Sequence, residues 1–126
     1  MTTKRVLIVD DEDDIREVAQ ISLEMVAGWE VLAASSGAVG LEIANTNQPD
    51  AILLDVMMPG MDGPTTFQNL QADPAIRHIP VILMTAKLQP SDQRRFAELG
   101  VAGVVAKPFD PLKLAGQVTE ALHWNT

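Results

Sequence analysis

The chain has 126 residues, 47% of them hydrophobic, no cysteine, and seventeen acidic against nine basic side chains for a net charge of −8. That length supports one domain around one core, and the lack of cysteine excludes disulfides, thiolate-bound zinc, iron–sulfur clusters and thiol nucleophiles. The negative balance argues against direct contact with nucleic acid or an anionic membrane surface, and it invites cations and basic partners.

The first apolar run, Val6 to Val9, is too short for a signal peptide, and no segment approaches the ~20 apolar residues of a membrane span, so a cytoplasmic domain is expected. It reads as a strand. Ile15, Val18, Ala19, Ser22, Met25 and Val26 follow with helical spacing, Asp14 and Glu17 form a plausible capping pair, and Gly28 closes the helix. Trp29 to Ala33 is a second strand. A helix is expected from Ser36 to about Asn45, with Asn47 to Asp50 as the breaker before a third strand, Ala51 to Leu54. Pro64 opens a third helix that fades by Asp73-Pro74. Val81 to Met84 is the fourth strand, and Pro90 to Leu99 the fourth helix, stopped by Gly100. Val104 to Ala106 is the fifth strand, and a last helix runs from Pro111, capped by Asp110, to about His123. Strands of nearly continuous apolar character alternating with amphipathic helices predict a three-layer α/β domain with a parallel sheet and right-handed crossovers.

Polar residues interrupt this pattern at the strand ends. Asp10 and Asp11 follow the first strand, Asp55 ends the third, Thr85 the fourth, and Lys107 follows the fifth. In an open α/β sheet the carboxyl ends of the strands form the edge where ligands bind. Three carboxylates converging there repel by about 3 kcal/mol per pair at ~5 Å and a dielectric near 20, so they take up protons or hold a cation. Oxygen ligands without histidine or cysteine select magnesium, with manganese as a substitute. A carboxylate beside such a metal, with a hydroxyl and an ammonium aimed at the same point, is equipped to receive a phosphoryl group. Asp55, alone at the end of a central strand, is the best nucleophile, with Thr85 as hydrogen-bond donor and Lys107 as charge clamp.

Val9-Asp10-Asp11, the stretch Leu54-Asp55-Val56-Met57-Met58-Pro59-Gly60-Met61-Asp62-Gly63, Met84-Thr85-Ala86-Lys87 and Lys107-Pro108-Phe109 together resemble the signature set of the receiver domain of two-component response regulators. The resemblance spans essentially the whole chain. It implies a flavodoxin-like, doubly wound five-stranded sheet of order 2-1-3-4-5 and a switch phosphorylated from the phosphohistidine of a sensor histidine kinase or phosphotransfer protein. It further implies Asp55 as phosphoacceptor, Asp11 as direct magnesium ligand, Asp10 acting mainly through water and the Met57 carbonyl as another ligand. Thr85 becomes the switch hydroxyl, Ala86 the small residue that leaves the phosphoryl group accessible, and Lys107 the reporter. The Lys107-Pro108 bond is expected to be cis.

In receivers the position three before the lysine is usually aromatic; here it is Val104, and the chain has no tyrosine. The expectation is therefore a muted or altered rearrangement of the face formed by the fourth helix, fifth strand and fifth helix. Met57 and Lys87 flank the path of attacking water and are expected to tune phosphoryl lifetime. Met57, Met58 and Met61 read as loop packing, Asp62-Gly63 as turn chemistry, Glu12, Asp13 and Asp14 as helix-capping acids, and His78 and His123 as surface residues. Arg94 and Arg95 read equally as solvated side chains or as part of an output surface.

Such a protein is a switch that catalyses its own phosphorylation and dephosphorylation rather than an ordinary enzyme. The chain ends just after the last helix, so a stand-alone, single-domain receiver of the chemotaxis type over 1–126 is expected, monomeric or weakly dimeric. A receiver piece of a larger regulator or hybrid kinase is the alternative. An aspartyl-phosphate phosphatase would need a second acid two residues after the nucleophile, where Met57 stands. A flavin carrier would need a phosphate loop of Ser, Thr and Gly where Asp10 to Asp14 stand. A degenerate scaffold would lack phosphorylation residues that are all present here.

Overall fold

The computed structural model describes residues 3–86 and 89–124. Lys87, expected to flank the site, lies outside the described residues. Five strands, β1 (Arg5–Val9), β2 (Glu30–Ala34), β3 (Ala51–Asp55), β4 (Val81–Thr85) and β5 (Gly103–Ala106), form one parallel sheet in the order β2-β1-β3-β4-β5. They alternate with α1 (Asp13–Ala27), α2 (Gly37–Asn47), α3 (Gly63–Ala72), α4 (Pro90–Leu99) and α5 (Leu114–Leu122).

The strand interiors are apolar because successive side chains enter two different cores. Leu7, Val9, Ile52, Leu54, Val81 and Leu83 pack against Ala44 of α2, Phe67 and Leu70 of α3, and Phe96 of α4. Val6, Ile8, Leu53, Ile82, Met84 and Val105 face Ala19 and Leu23 of α1 and Leu114, Ala115 and Val118 of α5. Helices therefore cover both faces, two on one side and three on the other. At the amino-terminal edge of the sheet, Trp29 meets Trp124 edge to face, ring centres 5.3 Å apart, and the Lys4 ammonium lies 4.7 Å from the Trp124 ring.

Several local expectations need correction. The α1 helix starts at Asp13 with Glu12 at its N-cap and no side-chain capping bond, so Asp14 and Glu17 are not a capping pair. Asp13 and Asp14 instead sit in the first turn, where their charges meet the helix dipole favourably. The buried stripe of α1 is Ala19, Ser22 and Leu23, whereas Val18, Ile21, Met25 and Val26 are exposed. With apolar residues on more than one side of the helix, the side that fits the sheet and α5 is the one buried. Leu23→Ala is accordingly expected to cost about 2–5 kcal/mol in chemical denaturation, and Met25→Ala less than about 0.5 kcal/mol. The α5 helix begins at Leu114 rather than Pro111, because Asp110 closes a separate turn: its carboxylate accepts from the Leu112 amide at 2.9 Å.

Other boundaries agree with the reading from sequence. Ser36 caps α2 through Val39 and Asp62 caps α3 through Thr65. Gly28 and Gly100 end α1 and α4 in left-handed conformation. No helix among the described residues is long and apolar enough to cross a membrane.

Candidate functional site

Parallel strands deliver their carboxyl ends to one edge, and there the apolar pattern breaks. Asp10 directly follows β1, its amide still bonded to the Ala34 carbonyl of β2 at 3.1 Å. Asp55 is the last residue of β3, opposite Met84 of β4, and is 2% exposed. Thr85, also buried, ends β4, and its carbonyl accepts the Lys107 amide at 2.9 Å. Ladder bonds thus continue past the strand ends and hold the polar side chains on rigid backbone. The Lys107-Pro108 bond is cis.

Behind Asp55 the chain turns sharply into α3. The Gly63 amide bonds the Val56 carbonyl at 2.9 Å, and a Cβ at Gly63 would sit 2.5 Å from the Asp55 carbonyl oxygen. Only glycine permits that approach.

Lys107 reaches across β4, as its place two strands from Asp55 requires. Its ammonium lies 3.0 Å from Asp10 Oδ2, 3.3 Å from Asp55 Oδ1 and 3.5 Å from Glu12 Oε1. Asp10 is fully buried, and its other oxygen accepts the Glu12 amide at 2.9 Å. Burial and the neighbouring Asp10 charge push the Asp55 carboxyl up to about 6, against the lowering influence of Lys107 and the Met57 amide. Burial acts to lower the Lys107 pKa, but the hydrogen bond and charge of Asp10, together with Asp55, outweigh it and hold the ammonium above its ordinary value. One lysine does not neutralise this edge.

Asp10, Asp11, Glu12 and Asp55 each present a carboxylate oxygen within 4.8 Å of the others. This all-oxygen set, half-buried or buried except at Glu12, suits a hard divalent cation, and its four carboxylates face a single lysine ammonium. The site lies in a cleft of about 300 Å³ that also touches Ile15, Met57, Ala86 and Pro108.

Of the remaining residues singled out in the sequence, Ala86 and Pro108 are exposed and Val104 is half-buried against the α2–α4 side of the core. The Met57 side chain is 66% exposed at the mouth of the site, which corrects its assignment to loop packing; Met58 is buried as expected. Met61 lies against the backbone at Gly37. His78 and His123 are exposed, as are Arg94 and Arg95, the latter 3.6 Å from Asp92. The sequence places Glu12 among the acids that cap the first helix and contribute to the field at the metal, but gives no sign of its contact with Lys107. The backbone turn that brings Glu12 as well as Asp10 of this five-acid run to the lysine leaves no trace in composition. The bond from the buried Ser22 hydroxyl to the Pro111 carbonyl, tying α1 to the segment after Lys107, was likewise not foreseen.

The chain is 42% identical over 116 residues to the response regulator PleD of Caulobacter vibrioides, covering 90% of this chain and 25% of that protein. It is 37% identical over 123 residues to the phosphate regulon transcriptional regulatory protein PhoB of Pseudomonas aeruginosa, covering 98% and 53%. It therefore spans between a quarter and about half of these curated relatives. Among solved structures it superimposes on the chemotaxis protein CheY4 of Vibrio cholerae with a TM-score of 0.88 at 28% identity, covering 95% of this chain and 99% of that one. The family model of the response regulator receiver domain matches residues 6–119. With the sheet order, the acid cluster and the bridging lysine in agreement with that match, the chain belongs to the response regulator receiver domain family.

Proposed function

We propose that the chain receives a phosphoryl group on Asp55 from the phosphohistidine of a sensor histidine kinase or phosphotransfer protein, in the cytoplasm, and thereby alters its protein-binding surface. The observation that carries this reading is a buried carboxylate at the carboxyl end of the central strand, 3.3 Å from the Lys107 ammonium and inside an acid cluster short of positive charge.

In the transfer, a carboxylate oxygen of Asp55 attacks phosphorus, an O–P bond forms and the P–N bond of phosphohistidine breaks. The electron pair returns to the imidazole nitrogen, which takes a proton. Hydrolysis removes the group: water attacks phosphorus and forms an O–P bond, the acyl phosphate O–P bond breaks with its electron pair returning to the Asp55 carboxylate, and inorganic phosphate leaves while the water proton passes to phosphate or solvent. Lys107, already at Asp55, neutralises a developing phosphoryl oxygen, and the Thr85 hydroxyl donates to another. Ala86 leaves the approach open, and Pro108 holds the backbone that carries the lysine. A magnesium ion held by Asp11, Asp55 and the Met57 carbonyl, with Asp10 acting through water, would supply the remaining charge neutralisation. Val104 provides no ring to follow the Thr85 hydroxyl, so the face of α4, β5 and α5 responds less than in aromatic-bearing receivers.

The test is incubation with acetyl phosphate and magnesium, followed by intact-mass measurement and mapping of the adduct. An adduct on Asp55 that disappears on chelation of the metal supports the assignment; one formed elsewhere, or without divalent metal, sinks it. Asp11→Ala is expected to weaken magnesium binding by about tenfold or more in calorimetry. Thr85→Ala should still acquire the adduct while the backbone NMR shifts of α4, β5 and α5 change less on phosphorylation than in the parent.

A further inference from the structure

Lys107 divides its ammonium among three carboxylates, and they differ in kind. The Asp10 side chain is fully buried and that of Asp55 is 3% exposed, while that of Glu12 is 60% exposed and stands at the mouth of the cleft beside Met57 and Pro108. The Glu12 amide is bonded to Asp10 Oδ1 and its carbonyl accepts the Arg16 amide at 3.0 Å, so its backbone is fixed at the start of α1 and only the side chain can swing.

Resting on the phosphoacceptor reading of Asp55, we propose that Glu12 is a charge gate over Lys107 that disfavours small, free dianionic phosphodonors relative to a phosphoryl group carried by a docked protein. Two consequences of the geometry lead there. Glu12 stands 3.5 Å from the Lys107 ammonium, an ion-pair contact with the charge that an arriving phosphoryl oxygen needs. It also adds a fourth negative charge to a cluster faced by a single ammonium. Even after a divalent cation, that edge would remain one charge negative, and a dianion approaching from solvent meets the exposed Glu12 first. Without Glu12 the same balance would be neutral. A protein donor can cover an exposed carboxylate with a basic or hydrogen-bonding group of its own, so the gate penalises the free donor selectively. Glu12 thus acts as a specificity determinant by placement rather than by taking part in bond making.

The test uses the full chain with saturating magnesium at pH 7.5, comparing acetyl phosphate, a dianion, with phosphoramidate, which carries less negative charge. Glu12→Gln is expected to accelerate adduct formation from acetyl phosphate by about 3- to 10-fold at low salt, with a smaller gain for phosphoramidate and a gain under about twofold at high salt. Asp14→Asn removes an equal charge from the first turn of α1, outside the cluster, and should change either rate by less than about twofold. Magnesium affinity of Glu12→Gln, read by calorimetry without any phosphodonor, should be unchanged or weaker, so that tighter metal binding does not account for a faster rate. A rate for Glu12→Gln equal to or below the parent, or a gain equal for both donors and insensitive to salt, would overturn the gate while leaving Asp55 as acceptor. Absence of any Asp55 adduct in the parent with either donor would overturn the phosphoacceptor reading, and the gate with it.

Discussion

Asp55→Asn abolishes phosphoryl uptake: with acetyl phosphate and magnesium, intact-mass spectra of this variant are expected to show less than about a hundredth of the adduct formed by the parent. The expectation rests on the absence of a substitute. Asp10 is fully buried with both oxygens engaged, one by the Glu12 amide and one by Lys107. Asp11 and Glu12 sit on the β1–α1 connection rather than at the end of a strand. An amide keeps the shape of the carboxylate but is a far weaker nucleophile at phosphorus, so its loss is one of chemistry rather than folding. Persistence of a metal-dependent adduct in Asp55→Asn at a tenth of the parental rate would contradict the assignment.

The same substitution makes the metal-free protein more stable at pH 8, by about 1–3 kcal/mol in chemical denaturation. The Asp55 pKa stands at about 6 in the fold against 3.8 for the ordinary side chain. Between those values the folded state holds more protons than the unfolded one, so the contribution of Asp55 to stability is complete below about pH 4 and is lost as pH rises through 6. A shift of roughly 2 units corresponds to about 3 kcal/mol at 1.36 kcal/mol per unit, and sharing with Asp10 and Lys107 makes that an upper bound. Asp55→Asn removes the penalty above pH 7 and changes little below pH 4. Denaturant midpoints of parent and variant should therefore converge on acidification. Midpoints that diverge as pH falls would show that Asp55 is stabilised, not strained, by its surroundings.

The strand-end residues were legible because each breaks an otherwise apolar run. Asp10 after Val6–Val9, Asp55 after Ala51–Leu54 and Thr85 after Val81–Met84 all fell at one edge of the sheet, where parallel topology must bring them together. The span of Lys107 across β4 could be reasoned from strand spacing alone. Less legible was α1, because Val18 and Met25 are as apolar as Ala19 and Leu23, and only contact with α5 decides which side is buried. The start of α5 escaped for a related reason: Asp110 followed by Pro111 signals a helix start and an isolated turn equally well. Glu12 escaped because each neighbour in its run is also an acid. Its approach to Lys107 depends on an N-cap backbone angle, which no spacing rule encodes.

Both tryptophans of the chain meet edge to face at the amino-terminal edge of the sheet, whereas Asp55 sits at the carboxyl edge. Five strand residues at 3.3 Å each put roughly 16 Å between these edges. Intrinsic emission from this protein is thus a gauge of the junction between the ends of α1 and α5, insulated from direct quenching by an ion or phosphoryl group at Asp55. A fluorescence change on activation would report motion carried the length of the domain, and silence there would be compatible with a fully loaded site.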